Sequence, residues 1–164
     1  MIKKINILFL SMFFIGRSKY APGTVASFVT SLIFILFYVI EINILYLIVS
    51  IIFIFIYSVF AIDAHPNLFD QVDSREIVID ELVGQSIPLL TIFSLIQKNN
   101  IGNFLLYTFI GFIFFRFFDI VKPYPINKVD KQMKNGFGVM LDDIIAGVYS
   151  SLLLLIIILF LYYD

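Results

Sequence analysis

The sequence predicts an all-α membrane protein, and three of its properties support this. Sixty-one per cent of the 164 residues are hydrophobic, and the mean hydropathy of +1.02 is typical of integral membrane proteins. The apolar residues lie in segments long enough to cross a bilayer, which takes roughly 17–25 helical residues. Short polar connections separate these segments. We therefore predict a polytopic membrane helical bundle of about five spanning helices plus a short N-terminal interfacial helix, forming one domain over residues 1–164.

The predicted elements follow from where the apolar runs begin and end. Residues 5–15 are apolar but too few to span, and no small-residue cleavage pattern follows them, so we expect a retained, half-inserted or interfacial helix. Thr24 is a good N-cap for the next helix. Lys122-Pro123 ends the fourth span, because proline lacks a backbone donor. The five predicted spans cover residues 25–40, 44–62, 77–96, 101–121 and 139–163.

Composition excludes several classes of function. The chain has no cysteine, which excludes thiol nucleophiles, disulfides and cysteine metal sites. Its one histidine, His65, excludes mechanisms that need two histidines and is interpreted as a loop residue. No basic tract indicates nucleic-acid binding.

The distribution of basic residues predicts the orientation in the membrane. Cytoplasmic connections carry an excess of Lys and Arg. A cytoplasmic N-terminus leaves only Lys98 on the far side and Arg116 inside a span, so we predict N-in and C-out. The other nine of the eleven basic residues then face the cytoplasm: Lys3, Lys4, Arg17, Lys19, Arg75, Lys122, Lys128, Lys131 and Lys134.

This orientation gathers the charged residues of the apolar segments into one layer. Asp142-Asp143 and Asp80-Glu81 lie near the cytoplasmic start of their spans, and Asp119 lies near the cytoplasmic end of a span running the other way. Charge within a membrane segment is unfavourable by roughly 2.5–3.5 kcal/mol per residue at mid-bilayer, so a functional site is the default interpretation. The alternative is that each pair only marks where a helix leaves the lipid.

Converging carboxylates repel one another unless a cation joins them. Oxygen ligands without cysteine or histidine favour Mg²⁺. Asp80 shares a helix face with Gly84, as Asp143 does with Gly147, and small residues allow close helix contact, so we favour Asp80 and Asp143 as the inward members. Of the adjacent residues Asp142 and Asp143, one is expected to bind the metal directly and the other to act from outside the ligand shell.

The nearby cations suit a phosphate group. Arg116 can pair with Asp119 three residues later, which is its ordinary structural interpretation, whereas Lys122 has no obvious local partner. Both side chains suit phosphate, as does the Pro-Gly-Thr helix start, although Thr24 as a simple N-cap is the alternative there. The residues therefore favour a Mg²⁺-dependent phosphate-ester enzyme at the cytoplasmic surface. A transporter or channel with an acidic cation site is the alternative, although transport sites usually lie at the bilayer midplane.

With these residues assembled, the sequence resembles the phosphatidylglycerophosphatase A family. The resemblance implies Mg²⁺-dependent hydrolysis of the terminal phosphate of phosphatidylglycerophosphate in the bacterial inner membrane, giving phosphatidylglycerol and inorganic phosphate. The matching segments, in chain order, are 21–24 (APGT) with Ser27, 79–84 (IDELVG), 115–119 (FRFFD), 122–126 (KPYPI) and 138–147 (GVMLDDIIAG).

The expected site combines both lines of reasoning. The predicted catalytic residues are Asp80, Asp119, Asp142 and Asp143; the predicted metal ligands are Asp80, Glu81, Asp142 and Asp143; the predicted phosphate-binding residues are Thr24, Ser27, Arg116 and Lys122. We expect direct attack by a metal-activated water, while an aspartyl-phosphate route stays open because a carboxylate can serve as a nucleophile.

Overall fold

The protein is described by a computed structural model that covers residues 2–64, 74–96 and 100–163. Within these ranges the chain forms seven α-helices and a 3₁₀ turn at Ile15–Arg17, as the all-α prediction required. The helices are α1 (Ile2–Leu10), α2 (Pro22–Val39), α3 (Ile44–Ala64), α4 (Ile79–Leu95), α5 (Ile101–Val121), α6 (Ile126–Gln132) and α7 (Gly136–Tyr163).

Four of these helices, α2, α3, α5 and α7, are long and apolar enough to cross a membrane. This confirms a polytopic membrane bundle. The remaining predicted span, residues 77–96, corresponds to α4, which has 17 residues and contains Pro88. Helix α4 packs against all four of the long helices, and both Gln85 and Ser86 in it are fully buried. Its polar residues are thus enclosed by protein, where Gln85 Nε2 donates to Ser31 Oγ and Ser86 Oγ donates to the carbonyl oxygen of Leu82.

Helices α2 to α5 alternate in direction and α7 runs opposite to α5, so the starts of α2, α4 and α7 meet the ends of α3 and α5 at one end of the bundle. The start of α7 contacts the end of α3, because the backbone N–H of Gly136 donates to Asp63 Oδ1 at 2.6 Å. The start of α2 lies beside the start of α4 and the end of α5, since Gly23 approaches the side chains of Glu81 and Arg116. We call this the charged end. The predicted convergence of charges from separate helices is confirmed here.

The opposite end of the bundle is packed with apolar and aromatic side chains. Tyr38 of α2 stacks on Phe104 of α5 with ring centroids 3.8 Å apart, and Phe93 of α4 meets both rings edge-on. Leu154 of α7 is fully buried in the same cluster. The edge-on contacts of Phe93 are a favourable aromatic arrangement. This packing joins the far ends of the helices that build the charged end.

Helices α4 and α7 cross at two glycines. A Cβ atom on Gly84 would lie 2.6 Å from the backbone oxygen of Asp143, and one on Gly147 would collide with the backbone oxygen of Gly84. Any side chain at either position would therefore force the helices apart. The two glycines were predicted to permit close approach, and they bring Asp143 of α7 beside Asp80 of α4.

The boundaries differ from the prediction at several places. The N-terminal helix covers Ile2–Leu10 rather than residues 5–15. Thr24 is not the N-cap of α2: the helix begins at Pro22, Ala21 stands at the N-cap with φ 41°, and Thr24 lies in the first turn. Proline at the first helical position explains the earlier start, because its missing N–H has no helical partner to lose.

The connection before the last helix also differs. The five predicted spans leave residues 122–138 as a loop without a helix, but this connection contains the short helix α6 (Ile126–Gln132), and α7 begins at Gly136, three residues before the predicted Val139. The loop assignment failed because a helix of seven residues shows too little periodicity to be recognised. His65, predicted as a loop residue, and Lys98, predicted on the far side of the membrane, lie outside the described residues.

Candidate metal and phosphate site

Three carboxylates from two helices form the centre of the charged end. Asp80 and Glu81 open α4, and Asp143 lies in the third turn of α7. One oxygen from each lies within 4.8 Å of the others. We call these residues the carboxylate trio. The α4–α7 glycine crossing creates this proximity, since Gly84 and Gly147 each lie one turn beyond a trio aspartate.

The trio is better suited to bind a hard divalent cation than to pack without one. Among the described residues, Glu81 Oε2 is buried without a hydrogen-bond partner. Asp119 and Glu81 also lie close enough to Asp143 for their charges to repel it. Repulsion and an orphaned buried oxygen are both unfavourable, and a cation bound to these oxygens removes both. An all-oxygen donor set of this kind suits Mg²⁺.

Asp142, although adjacent to Asp143, faces a different partner. Its Oδ2 accepts a hydrogen bond from Lys122 Nζ at 2.7 Å, and Lys122 also donates to Asp130 Oδ1 at 2.9 Å. We call these three residues the lysine triad. The roughly 100° between consecutive helical residues accounts for the divergence of the two aspartates. Of the four predicted metal ligands, Asp142 is the one that the structure does not bring into the trio.

Lys122 reaches this position through an unusual backbone conformation. It ends α5 with φ 44°, in the left-handed region that only a few per cent of non-glycine residues adopt. Burial lowers the pKa of Lys122, but its hydrogen bonds and ion pairs with Asp142 and Asp130 raise it above its usual value. The ammonium group is therefore charged throughout the neutral range. The prediction that Lys122 lacks a local partner was wrong, because Asp130 lies on α6, which the sequence did not reveal.

Arg116 and Asp119 form the predicted i, i+3 ion pair. Arg116 Nη1 lies 2.6 Å from Asp119 Oδ2, and both side chains are largely buried, at 15% and 12% exposure. Arg116 Nε is buried and has no hydrogen-bond partner among the described residues. A Cβ atom on Gly23 would collide with Glu81 Oε1 and lie 3.2 Å from Arg116 Nη1. The absent side chain of Gly23 thus lets the Glu81 carboxylate and the Arg116 guanidinium lie close against the start of α2.

The two hydroxyl residues predicted to bind phosphate occupy different environments. Thr24 is half-buried in the first turn of α2, next to Gly23. Ser27 is fully buried, and its hydroxyl donates to the carbonyl oxygen of Gly23 at 2.8 Å. The hydroxyl hydrogen of Ser27 is therefore already bonded within α2. Thr24 lies at the helix start, where backbone N–H groups and the helix dipole favour an anion.

Taken together, the charged end places an oxygen donor set beside two basic groups. The trio supplies ligands for a cation, Lys122 supplies a point charge, and Arg116 supplies a planar guanidinium with donors to spare. Arg and Lys beside a carboxylate-bound cation are suited to hold a phosphate monoester. Sequence reasoning missed Asp130 and Asp63, both of which lie outside the apolar segments that it searched for unusual charge.

Comparisons with known proteins agree with this geometry. Residues 8–158 match the family model of phosphatidylglycerophosphatase A. A Bacteroides thetaiotaomicron protein, provisionally named a phosphatidylinositol-3-phosphatase, is 34% identical over 85% of this chain and 84% of its own length. The phosphatidylglycerophosphatases A of Haemophilus influenzae and Escherichia coli are 42% and 37% identical over 48% of this chain, and over 43% and 41% of their own lengths. No solved structure matches.

Proposed function

The chain belongs to the phosphatidylglycerophosphatase A family, and we propose that it hydrolyses the terminal phosphate of phosphatidylglycerophosphate, releasing phosphatidylglycerol and inorganic phosphate. The observation that carries this proposal is the carboxylate trio beside Lys122 and Arg116 at one end of a membrane bundle. We place the site at the cytoplasmic face of a bacterial inner membrane, on the distribution of basic residues.

Mg²⁺ is the proposed cofactor, with Asp80, Glu81 and Asp143 as its ligands. When bound, it supplies Lewis-acid polarisation of the phosphate and a lowered pKa for a bound water. Asp142 has a different role in this proposal: it orients Lys122, whose ammonium donates to Asp142 and Asp130 until a phosphate approaches. Asp119 likewise orients Arg116.

The basic side chains bind the substrate. Arg116 has a buried Nε with no hydrogen-bond partner among the described residues. A phosphate oxygen that reaches this guanidinium would receive charge-assisted hydrogen bonds, which are stronger than neutral ones. Thr24 at the start of α2 adds a hydroxyl and the positive end of the helix dipole. Lys122 neutralises the remaining phosphate charge.

We propose direct hydrolysis. The oxygen of water forms the new bond to phosphorus, the bond between phosphorus and the lipid oxygen breaks, and that oxygen takes up a proton as the lipid alcohol leaves. The alternative is attack by a carboxylate, giving an aspartyl-phosphate. Asp142 and Asp119 are each held by a cation, which makes them weaker nucleophiles. Rapid acid quench with phosphate-labelled substrate distinguishes the routes: label retained on an aspartate, or net retention of configuration at phosphorus, contradicts direct attack.

Phosphatidylinositol-3-phosphate is a second candidate substrate. The specific observation is the Bacteroides relative, whose name includes that substrate and whose similarity covers most of both chains. Both lipids present a phosphate monoester on a diacylglycerol-linked headgroup, so the same cationic groups suit either one. The transporter alternative has less support, because the charges lie at one end of the bundle and the family is one of phosphatases.

The deciding experiment measures phosphate release by the purified protein in detergent micelles. We expect release from phosphatidylglycerophosphate to exceed release from phosphatidylinositol-3-phosphate, and chelation to abolish both until Mg²⁺ is restored. Asp143→Asn is the matched inactive control. Full activity after exhaustive chelation would contradict the proposed Mg²⁺ requirement. Faster hydrolysis of the inositol lipid would identify phosphatidylinositol-3-phosphate as the preferred substrate.

A further inference from the structure

A cleft with a strongly basic lining lies at the charged end, outside the candidate site. It forms where the turn before α2 meets the segment before α4. Its volume is about 420 Å³, within the range of small-ligand pockets, roughly 300–1,000 Å³. We call it the basic cleft, and its lining residues are Gly16, Arg17, Ser18, Lys19, Ser74, Arg75 and Glu76. None of these residues belongs to the candidate site, so the cleft is a separate feature of this end of the bundle.

Backbone contacts hold together the two segments that form the cleft. A Cβ atom on Gly16 would collide with the backbone oxygen of Glu76, so the two main chains approach more closely than any side chain would permit. Two residues beyond Glu76, the N–H of Val78 donates to the carbonyl oxygen of Leu10 at 3.0 Å. The turn at 15–17 therefore packs directly on the segment that leads into α4, and basic side chains from both segments line one cleft.

The cleft has an excess of positive charge. Arg17, Lys19 and Arg75 line it together with one carboxylate, that of Glu76. Glu76 is paired with Arg17, whose Nε donates to Glu76 Oε2 at 3.0 Å. This bond uses one of the five donors of the guanidinium. Within the described ranges, neither Lys19 nor Arg75 has an ion-pair partner. Two positive charges of the cleft are therefore uncompensated, which favours an anion as its ligand.

Exposed aromatic side chains beside the cleft indicate that it lies at the membrane interface. Phe13 precedes the turn at 15–17 and is 79% exposed, and Tyr20 follows Lys19 and is 84% exposed. The guanidinium of Arg17 lies over the Phe14 ring, 4.9 Å from its centroid. Aromatic rings at the end of a membrane bundle are typical of the level of the lipid headgroups. This position favours a phospholipid over a soluble anion as the ligand.

We propose that the basic cleft binds the phosphodiester headgroup of an anionic phospholipid from the surrounding leaflet, as a second lipid site apart from the carboxylate trio. A phosphodiester carries one negative charge and is held by hydrogen-bond donors without a metal ion. Arg17 and Arg75 supply planar guanidinium donors, and Lys19 supplies a point charge. The inference goes beyond the proposed function and does not depend on it, because the cleft and the candidate site share no residue.

Native mass spectrometry of the purified protein in detergent micelles tests this by titration with phosphatidylglycerol or phosphatidylcholine. We expect phosphatidylglycerol to bind more tightly, because phosphatidylcholine has no net charge. The double variant Lys19→Gln, Arg75→Gln breaks no ion pair among the described residues. It should weaken phosphatidylglycerol binding by about 30-fold, since each basic residue near an anionic lipid contributes about fivefold.

The matched control is the double variant Lys128→Gln, Lys131→Gln. Both lysines are exposed on α6 at the same end of the bundle, and neither lines the cleft. This variant removes the same charge and should change phosphatidylglycerol binding by less than about twofold. An equal loss in this control would show a general effect of surface charge and overturn the inference. Equal binding of the two lipids would also overturn it, as would displacement of phosphatidylglycerol by glycerophosphoglycerol at similar concentration, which would assign the cleft to a soluble anion.

A last comparison separates this proposal from the proposed activity. Asp143→Asn alters the carboxylate trio and should leave phosphatidylglycerol binding unchanged, whereas the cleft variant should release phosphate at a rate within about twofold of wild type. If Asp143→Asn abolishes phosphatidylglycerol binding and the cleft variant keeps it, the lipid binds at the trio and the inference is wrong. Cleft-dependent lipid binding without phosphate release by the wild-type protein would contradict the proposed activity alone.

Discussion

The carboxylate trio and the lysine triad are built from neighbouring residues but differ in charge balance. The trio joins three acidic groups with no basic group among its members, and one of its buried oxygens lacks a partner. The triad joins one lysine to two aspartates at 2.7 and 2.9 Å, so each of its charged groups has a partner. Asp142 and Asp143 are adjacent in sequence yet belong to different clusters. The trio therefore has no counter-charge among its own members, whereas each charged group of the triad has a partner within it.

This contrast predicts the largest effect at Asp143. Asp143→Asn removes a proposed Mg²⁺ ligand, so we expect loss of more than about 100-fold in kcat/KM and a higher Mg²⁺ requirement. Asp142→Asn, which acts through Lys122, should lose about 10- to 100-fold with the Mg²⁺ requirement unchanged. Magnesium titrations of both variants test this, with membrane insertion as the control. Activity near wild type in both variants would remove the aspartate pair from the mechanism.

Arg116→Ala should have the next largest effect, on stability as well as activity. The substitution leaves Asp119 as an unpaired carboxylate that is 12% exposed. Removal of one partner from a buried ion pair typically lowers the free energy of unfolding by about 3–5 kcal/mol. Thermal unfolding in detergent measures this, and Arg116→Lys, which keeps the charge, is the matched control. If Arg116→Ala unfolds at the wild-type temperature, the ion pair does not stabilise the protein.

Lys122→Ala should act mainly on substrate affinity. We expect KM to rise by about tenfold, as when one charge-assisted hydrogen bond is lost, with a smaller change in kcat. Because the pKa of Lys122 is raised in the folded protein, its stabilising pairs are fully formed below its unfolded pKa of about 10.4 and are lost only as pH rises beyond the folded value. Asp130→Asn is the control, since it leaves the bond from Lys122 to Asp142. An unchanged KM in Lys122→Ala would show that the triad is structural only.

Asp63 should give the smallest effect. Its carboxylate accepts the N–H of Gly136 and lies at the positive end of the α7 dipole, so it acts as an N-cap supplied by another helix. We expect Asp63→Ala to lower the free energy of unfolding by about 1 kcal/mol and Asp63→Asn by less, because asparagine keeps the acceptor. Equal losses in the two variants would assign the effect to charge rather than to the hydrogen bond.

The sequence was most informative where charge interrupts an apolar run. Asp80, Asp119 and Asp143 are conspicuous for this reason, and helix direction alone predicted that they meet. The Arg116–Asp119 pair and the glycine contacts followed from i, i+3 and i, i+4 spacing. These contacts follow from helix geometry over three or four residues, so residue spacing in the sequence is enough to predict them.

Contacts that depend on the chain between helices were not predictable in this way. Asp130 reaches Lys122 only because Lys122 adopts φ 44° and the chain then forms α6. Asp63 reaches α7 across 73 residues of sequence. Thr24 was misplaced as an N-cap because a proline two residues earlier already starts the helix. None of these features has a periodic signal, since each is set by backbone conformation or by tertiary packing.

The glycine crossing of α4 and α7 has a consequence for the membranes in which the protein can work. Bilayers differ in thickness, and membrane helices respond by tilting or by deforming the lipid around them. At Gly84 and Gly147 the two backbones touch directly, so the distance between the helices that carry Asp80 and Asp143 depends on protein atoms and not on lipid. We therefore expect the spacing of these carboxylates to stay constant while the outer helix surfaces adapt to thinner or thicker bilayers.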